Sequence, residues 1–224
     1  MDVRLVSHSR PAPEFATHGI RDCQDLVAYC ARVSNPANQT NTETSERLIR
    51  YLIRNQHWSP LEMVNVCLEI TTTRDIARQL LRHRSFSFQE FSQRYADPVQ
   101  ELDFELRDAR LQDPKNRQNS ISVDNEVLQA EWRRHQEYVI NAARTAYNWA
   151  VGIGIAKEQA RTVLPEGLTK SRLYVNGTLR SWVHYIELRS GNGTQQEHTD
   201  IALACARVIA EVFPMAQEFV AKPI

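Results

Sequence analysis

The chain has 224 residues, 42% hydrophobic and 24% charged, a make-up that excludes wholesale disorder and fits a folded globular protein. Lys plus Arg and Asp plus Glu both number 27, giving a formal net charge of +0, which argues against a protein that coats nucleic acid by charge and leaves room for a local anion pocket. Met1–Val6 lacks the long apolar core of a signal peptide and no stretch is apolar for long enough to span a bilayer, so a cytoplasmic protein with no membrane partner is expected.

In chain order, Val3 to Val6 reads as a strand stopped by Ser9–Pro13. Leu26, Val27, Cys30 and Val33 recur at helical spacing within Asp22–Val33, and Asn35-Pro36 breaks that helix. A polar loop, Asn38–Thr44, leads into a second helix, Ser45–Asn55. After the turn at Ser59-Pro60, alternating Val64, Val66, Leu68 and Ile70 predict a half-buried strand over Met63–Thr72. Helical spacing returns from Arg74 to Arg82.

Further on, Leu102–Leu106 reads as a strand and Asp108–Asn125 as a polar surface loop with a short helical piece. Glu126–Val151 suits a long helix ended by Gly152 and Gly154, and Ala156–Val163 a shorter one ended by Pro165. Leu173–Val175 is strand-like, Asn176–Thr178 a loop, Leu179–Arg189 a helix, and Thr194–Phe219 a last helix. With no repeat or linker in view, the pattern predicts an α+β fold: one helix-rich domain over residues 1–224 with a central mixed or antiparallel sheet.

Chemistry concentrates in Arg82–Arg94, where Arg82, His83, Arg84 and Arg94 are interleaved with Ser85, Ser87 and Ser92. Planar guanidinium forks beside hydroxyls suit phosphate. The competing reading is a solvated helix end, since cations near a helix C-terminus are favoured by the macrodipole. Gln79 and Arg82 share a helix face, as do Arg180 and His184 further along, while Arg161 and Arg189 sit at helix ends. His57 beside Trp58 reads as a turn residue or a pocket mouth. His57, His83, His184 and His198 show no H-x-x-x-H pairing and Cys23, Cys30, Cys67 and Cys205 no C-x-x-C pair, so no metal site is expected and the thiols read as buried and reduced. G-x-G-x-x-G and P-loop motifs are absent, so a dinucleotide would need another kind of cradle.

These residues resemble the flavin-dependent thymidylate synthases, whose signature is R-H-R, seven residues, S, then x-R. Here it reads Arg82-His83-Arg84, Ser85 to Phe91, then Ser92-Gln93-Arg94. His57-Trp58-Ser59-Pro60, Ala160–Pro165 and Leu179–Arg189 follow the family's order, and the resemblance is weakest over Asp108–Asn125. It implies a homotetramer that converts dUMP to dTMP, with FAD as cofactor, 5,10-methylenetetrahydrofolate as one-carbon donor and NADPH as reductant. Carried over by position, Gln79, Arg82, Glu90, Phe91, Ser92, Gln93, Arg94 and Arg161 would contact dUMP. Ser59, Arg82, His83, Arg84, Glu90, Thr178, Leu179, Arg180 and His184 would contact FAD. His57 would lie near the flavin ring, and Arg189 would promote ionisation at N3 of the uracil. An Asn is common in this family near the slot held here by Asn176 or Thr178, and Met63 follows Glu62 where many relatives have His.

An arginine is a poor base, but Arg189 can stabilise a developing uracil anion by charge and hydrogen bonds. None of the cysteines lies in the polar setting a thiolate nucleophile needs, and Ser92 has no adjacent His-carboxylate pair, which favours a binding role for it. Two rivals stand beside this reading. One is a non-enzymatic single-stranded RNA-binding module using the arginines for phosphates and Phe86, Phe88 and Phe91 for base stacking; the other is a metal-dependent nucleotide hydrolase.

Overall fold

The computed structural model describes residues 1–191 and 193–220. Its centre is a four-stranded sheet in the order β1-β2-β6-β3, made of β1 (Asp2–His8), β2 (Asn65–Thr73), β3 (Ser87–Glu90) and β6 (Lys170–Thr178). Every pairing is antiparallel, so of the two expected sheet types the antiparallel one is observed. Val66, Leu68 and Ile70 point into the core beside Leu173 and Val175, whereas Asn65, Glu69, Arg172 and Tyr174 face outward. One face is therefore dry and the other wet, as the alternation in the sequence requires.

The dry face is covered by α2 (Cys23–Ala31), α3 (Ser45–Arg54), α4 (Arg74–Leu80), α8 (Leu179–Arg189) and α9 (Gln196–Ile209), with short α1 (Pro13–Ala16) near the start. Asp22 caps α2 by accepting the Asp25 N–H, and Thr178 caps α8 by accepting the Ser181 N–H. The remaining helices, α5 (Pro98–Glu101), α6 (Glu126–Gly152) and α7 (Lys157–Ala160), gather around a smaller core of Val99, Tyr147, Ala150 and Ala160.

Several expectations are corrected. Leu102–Leu106 is no strand of the sheet: it makes an isolated bridge from Phe104 to Thr169, and beyond it two α6 side chains take over the backbone groups a sheet partner would satisfy. Gln136 both accepts from the Arg107 N–H and donates to its carbonyl, and Gln129 does the same for Ala109. Asp108–Asn125 contains a hairpin, β4 (Arg110–Gln112) and β5 (Ser120–Ser122), in place of a helical piece. The Asp113 carboxylate closes its turn by accepting from the N–H groups of Lys115 and Asn116 and the amide of Asn119. Asn176–Thr178 is no loop but the end of β6, and Ser87–Glu90, to which the sequence alone assigned no element, pairs with it as β3. The last helix stops at Ile209, and beyond the turn that follows, Pro214 holds Phe213 out of helical conformation (φ −142°, ψ 82°) and starts a separate tight turn through Phe219. Ala156–Val163 likewise splits into α7 and a tight turn over Arg161–Val163.

Candidate active site

The Arg82–Arg94 segment is shaped by one side chain, Phe86. Leu80 and His83 accept turn hydrogen bonds from the N–H groups of His83 and Phe86, which swing the chain off α4. Phe86 then plugs into the core with its ring 4.5 Å from Trp182 and 5.9 Å from Tyr185. It passes over β6 at Gly177, where an added Cβ would lie 2.3 Å from the Phe86 ring, so only glycine permits the approach. Ser181 Oγ ties the loop down by donating to the Ser85 carbonyl at 3.1 Å. Anchored in this way, the loop leaves Arg82 and Arg84 exposed and half-buries His83 between them.

His83 meets the far end of α8. Arg189 donates its Nε–H to His83 Nε2 at 2.9 Å, so His83 accepts there and carries its proton on Nδ1. Burial, reinforced by the neighbouring charges of Arg189 and Arg82, lowers the His83 pKa to about 4 and keeps the ring neutral. Burial also lowers the pKa of Arg189, Tyr185 opposing and Arg82 adding to the effect, but a guanidinium stays charged. Arg189, Arg82, Arg78, Gln79, Thr194, Gln195 and Gln118 surround a polar cleft of about 510 Å³. No carboxylate is among its described lining residues; Arg78 reaches away to pair with Glu166. Such a cleft favours an anion.

Glu90 stands at the end of β3, accepting from Ser171 Oγ at 2.8 Å and lying 3.6 Å from Arg74. Burial lowers the pKa of Arg74 first of all, and Glu90, Arg78, Glu166 and Arg161 all act electrostatically on it, so these five residues form one mixed charged patch beside the cleft. Phe91 N–H donates to the Arg172 carbonyl, Ser92 is half-buried, and Arg94 turns to Glu158 at 3.4 Å. Gln93 is buried with its amide nitrogen unpartnered among the described residues, a donor waiting for an acceptor.

Midway along α8 the exposed His184 ring lies 4.3 Å from the Trp58 indole, and at the start of the helix Arg180 pairs with Glu62. Ser59 opens the tight turn Ser59–Met63 beside them, while His57, exposed, meets the Tyr51 ring edge-on at 6.1 Å. Leu179 belongs to the core: its side chain is fully buried and its N–H donates to the Val64 carbonyl. All four thiols are pushed up by burial, Cys23 to about 11, which leaves no ready thiolate. Among the described residues no group of three or more His, Cys, Asp or Glu is placed to hold a metal ion.

The structure thus gathers Gln79, Arg82 and Arg189 in one cleft, Glu90 and Arg161 at its side, and Ser59, Arg180 and His184 around the first half of α8. Sequence reasoning missed Arg74, Gln118, Thr194, Gln195 and Tyr185; Gln118, Thr194 and Gln195 come from segments that carry no motif, and Arg74 and Tyr185 are set beside the site only by the packing of α4 and α8.

Fold and site define a protein with an arginine-lined cleft between α4 and the end of α8 whose lining suits an anion. Residues 17–215 match the family model described as thymidylate synthase complementing protein, and the chain belongs to that family. Over 214 residues it is 47% identical to the probable flavin-dependent thymidylate synthase of Paramecium bursaria Chlorella virus 1 and 45% identical to the flavin-dependent thymidylate synthase of Synechocystis sp., each match covering 96% of both chains. In structure it is similar to the UMP/dUMP methylase PolB of Streptomyces cacaoi bound with 5-Br dUMP, with a TM-score of 0.76 and 25% identity over 97% of this chain and 93% of that one. The RNA-binding alternative finds no support among these relatives.

Proposed function

We propose that this chain is one catalytic domain that methylates dUMP to dTMP with FAD as cofactor, NADPH as reductant and 5,10-methylenetetrahydrofolate as one-carbon donor. The observation that carries the reading is Arg189, a half-buried cation oriented by neutral His83 into a cleft of donors with no described carboxylate. There it would stabilise the negative charge that builds on a uracil ring when N3 ionises. Gln79 and Arg82 would hold the nucleotide from α4, and Glu90, Phe91, Ser92, Gln93, Arg94 and Arg161 from the neighbouring patch. The unpartnered amide of buried Gln93 fits a ligand acceptor.

The donor set also fits an anionic flavin. Arg82 and Arg84 have no ion pair among the described residues, and Trp58 with His184 offers an aromatic surface near Arg180, Ser59 and Thr178. His83, His57 and Glu90 would complete the contacts, and Leu179 only through its backbone carbonyl. When bound, the flavin supplies the hydride and carbon chemistry. The chain's own residues bind, orient and neutralise charge.

A homotetramer is part of the proposal. The long α6 exposes Val127, Trp132, Tyr138, Val139 and Trp149, and apolar clefts of about 400 and 370 Å³ flank Trp132. That much apolar surface on one helix fits burial against another copy. No described helix is long and apolar enough to cross a membrane, and the four free thiols accord with a cytoplasmic setting.

The test is direct. Protein supplied with FAD, dUMP, NADPH and methylenetetrahydrofolate should form dTMP and show a flavin absorbance spectrum. Protein that stays colourless with added FAD and forms no dTMP overturns the reading.

A further inference from the structure

We propose that Glu197, Gln195 and His198 form a positioning relay that fixes the direction of the Gln79 amide and presents one of its N–H groups, rather than its carbonyl, to the ligand in the cleft. It rests on the reading of that cleft as the nucleotide site.

The relay starts at a charge. Arg110 on β4 donates to Glu197 Oε1 at 2.5 Å, and Arg107 lies 4.0 Å from the same oxygen. Burial opposes ionisation of Glu197, but the Arg110 bond, with help from its own backbone, Gln195 and Arg107, outweighs it and brings the carboxyl below its usual range. An ionised carboxylate only accepts. Gln195 must therefore turn its Nε2 toward Glu197 Oε2, as it does at 2.9 Å. Its Oε1 is left to accept from Gln79 Nε2 at 2.8 Å. Gln79 Oε1 is in turn left facing His198 Nδ1 at 3.3 Å, and two acceptors cannot pair, so Nδ1 holds the proton.

Each amide and the imidazole tautomer are thus set in sequence by one carboxylate. The relay ends in a cost: His198 is fully buried and its Nε2 has no partner among the described residues. A buried polar atom left unpaired is destabilising and calls for a reason. The reason offered here is that His198 serves as a donor to Gln79 while its ring packs 5.7 Å from Tyr185 and 6.1 Å from His83, the acceptor of Arg189. Of the two hydrogens on Gln79 Nε2, one goes to Gln195, and the other remains for the cleft. Together with Arg82 and Arg189 this makes the described lining on that side a set of donors, matched to the oxygens of an anionic pyrimidine nucleotide.

The experiment compares His198→Leu, which removes the donor, with His198→Asn, whose amide nitrogen can replace Nδ1. On flavin-loaded protein, calorimetry with dUMP should show His198→Leu weakening binding by about three- to tenfold, the worth of one hydrogen bond, with His198→Asn within about twofold of wild type. Gln195→Met, at a half-buried position less prone to disturb folding, should weaken dUMP binding like His198→Leu. Nitrogen-15 spectra of the wild type should show His198 protonated on Nδ1 at neutral pH. Unchanged dUMP affinity in both His198→Leu and Gln195→Met, equal losses in His198→Leu and His198→Asn, or a proton on Nε2 overturns the relay. Wild-type protein that binds flavin but not dUMP overturns the nucleotide reading instead, and the proposal with it.

Discussion

Arg189 and His83 come from elements 106 positions apart in sequence and meet through one 2.9 Å hydrogen bond in which the guanidinium donates to a neutral imidazole. The arrangement holds a cation in place without neutralising it. A carboxylate in the position of His83 would orient Arg189 equally well but would cancel the charge that the proposed uracil anion needs.

Arg189→Ala should retain flavin, read from its absorbance, and lose thymidylate formation by about two to three orders of magnitude, the scale for removing a charge-stabilising donor. Arg189→Lys should fail to restore it, because an ammonium lacks the planar fork that engages His83 and the ligand together. Loss of flavin and folding together in Arg189→Ala would mark the residue as structural.

Acid should destabilise the protein through its buried histidines. The His83 pKa falls from 6.5 to about 4 and that of His198 from 6.5 to about 3, in both cases chiefly by burial, with Arg189 the next cause. Between the unfolded and folded values the unfolded chain binds more protons, so stability is complete above about pH 6.5 and declines as pH falls toward 4. Thermal melts from pH 7 to pH 4 should show this decline, and His198→Asn should show a shallower one. Equal slopes would remove His198 from the account.

Gly177→Ala should displace Phe86 and cost about 1–3 kcal/mol, the usual price of overpacking. Flavin affinity should fall too, because Phe86 anchors the loop that carries Arg82 and Arg84. In a double-mutant cycle with Phe86→Leu, the cost of Gly177→Ala should shrink, since the added Cβ would lie only 2.3 Å from the Phe86 ring. Strict additivity in denaturant unfolding would refute the coupling.

Arg180→Ala removes an exposed ion pair with Glu62 and should change stability by less than about 1 kcal/mol. Flavin titration should nevertheless show clear loss of affinity if Arg180 serves the cofactor. A variant with unchanged affinity would leave Arg180 as an ordinary solvent-facing residue of α8, the usual place of a polar side chain on an amphipathic helix.

The local patterns were legible where one residue's neighbours in sequence are also its neighbours in space. Alternation marked β2, helical spacing marked α2, α3, α6 and α8, and the Arg82–Arg94 signature pointed to the family that the relatives establish. The misreadings share a cause. Ser87–Glu90 became a strand through pairing with β6, while Leu102–Leu106 found only the short stretch before β6, through the Phe104–Thr169 bridge, before Gln136 and Gln129 on α6 took over the backbone at Arg107 and Ala109. Propensity is weak in such short segments, so the partner decides.

The sequence by itself determined the residue types of the site: grouped guanidiniums whose charge is invariant, imidazoles beside them, and glycine at 177. Tertiary structure alone decided which of them act together. Burial made His83 neutral, packing set it against Arg189, and a carboxylate on α9 oriented the amides at the cleft, because dielectric, proton position and hydrogen-bond direction depend on what surrounds a group in space.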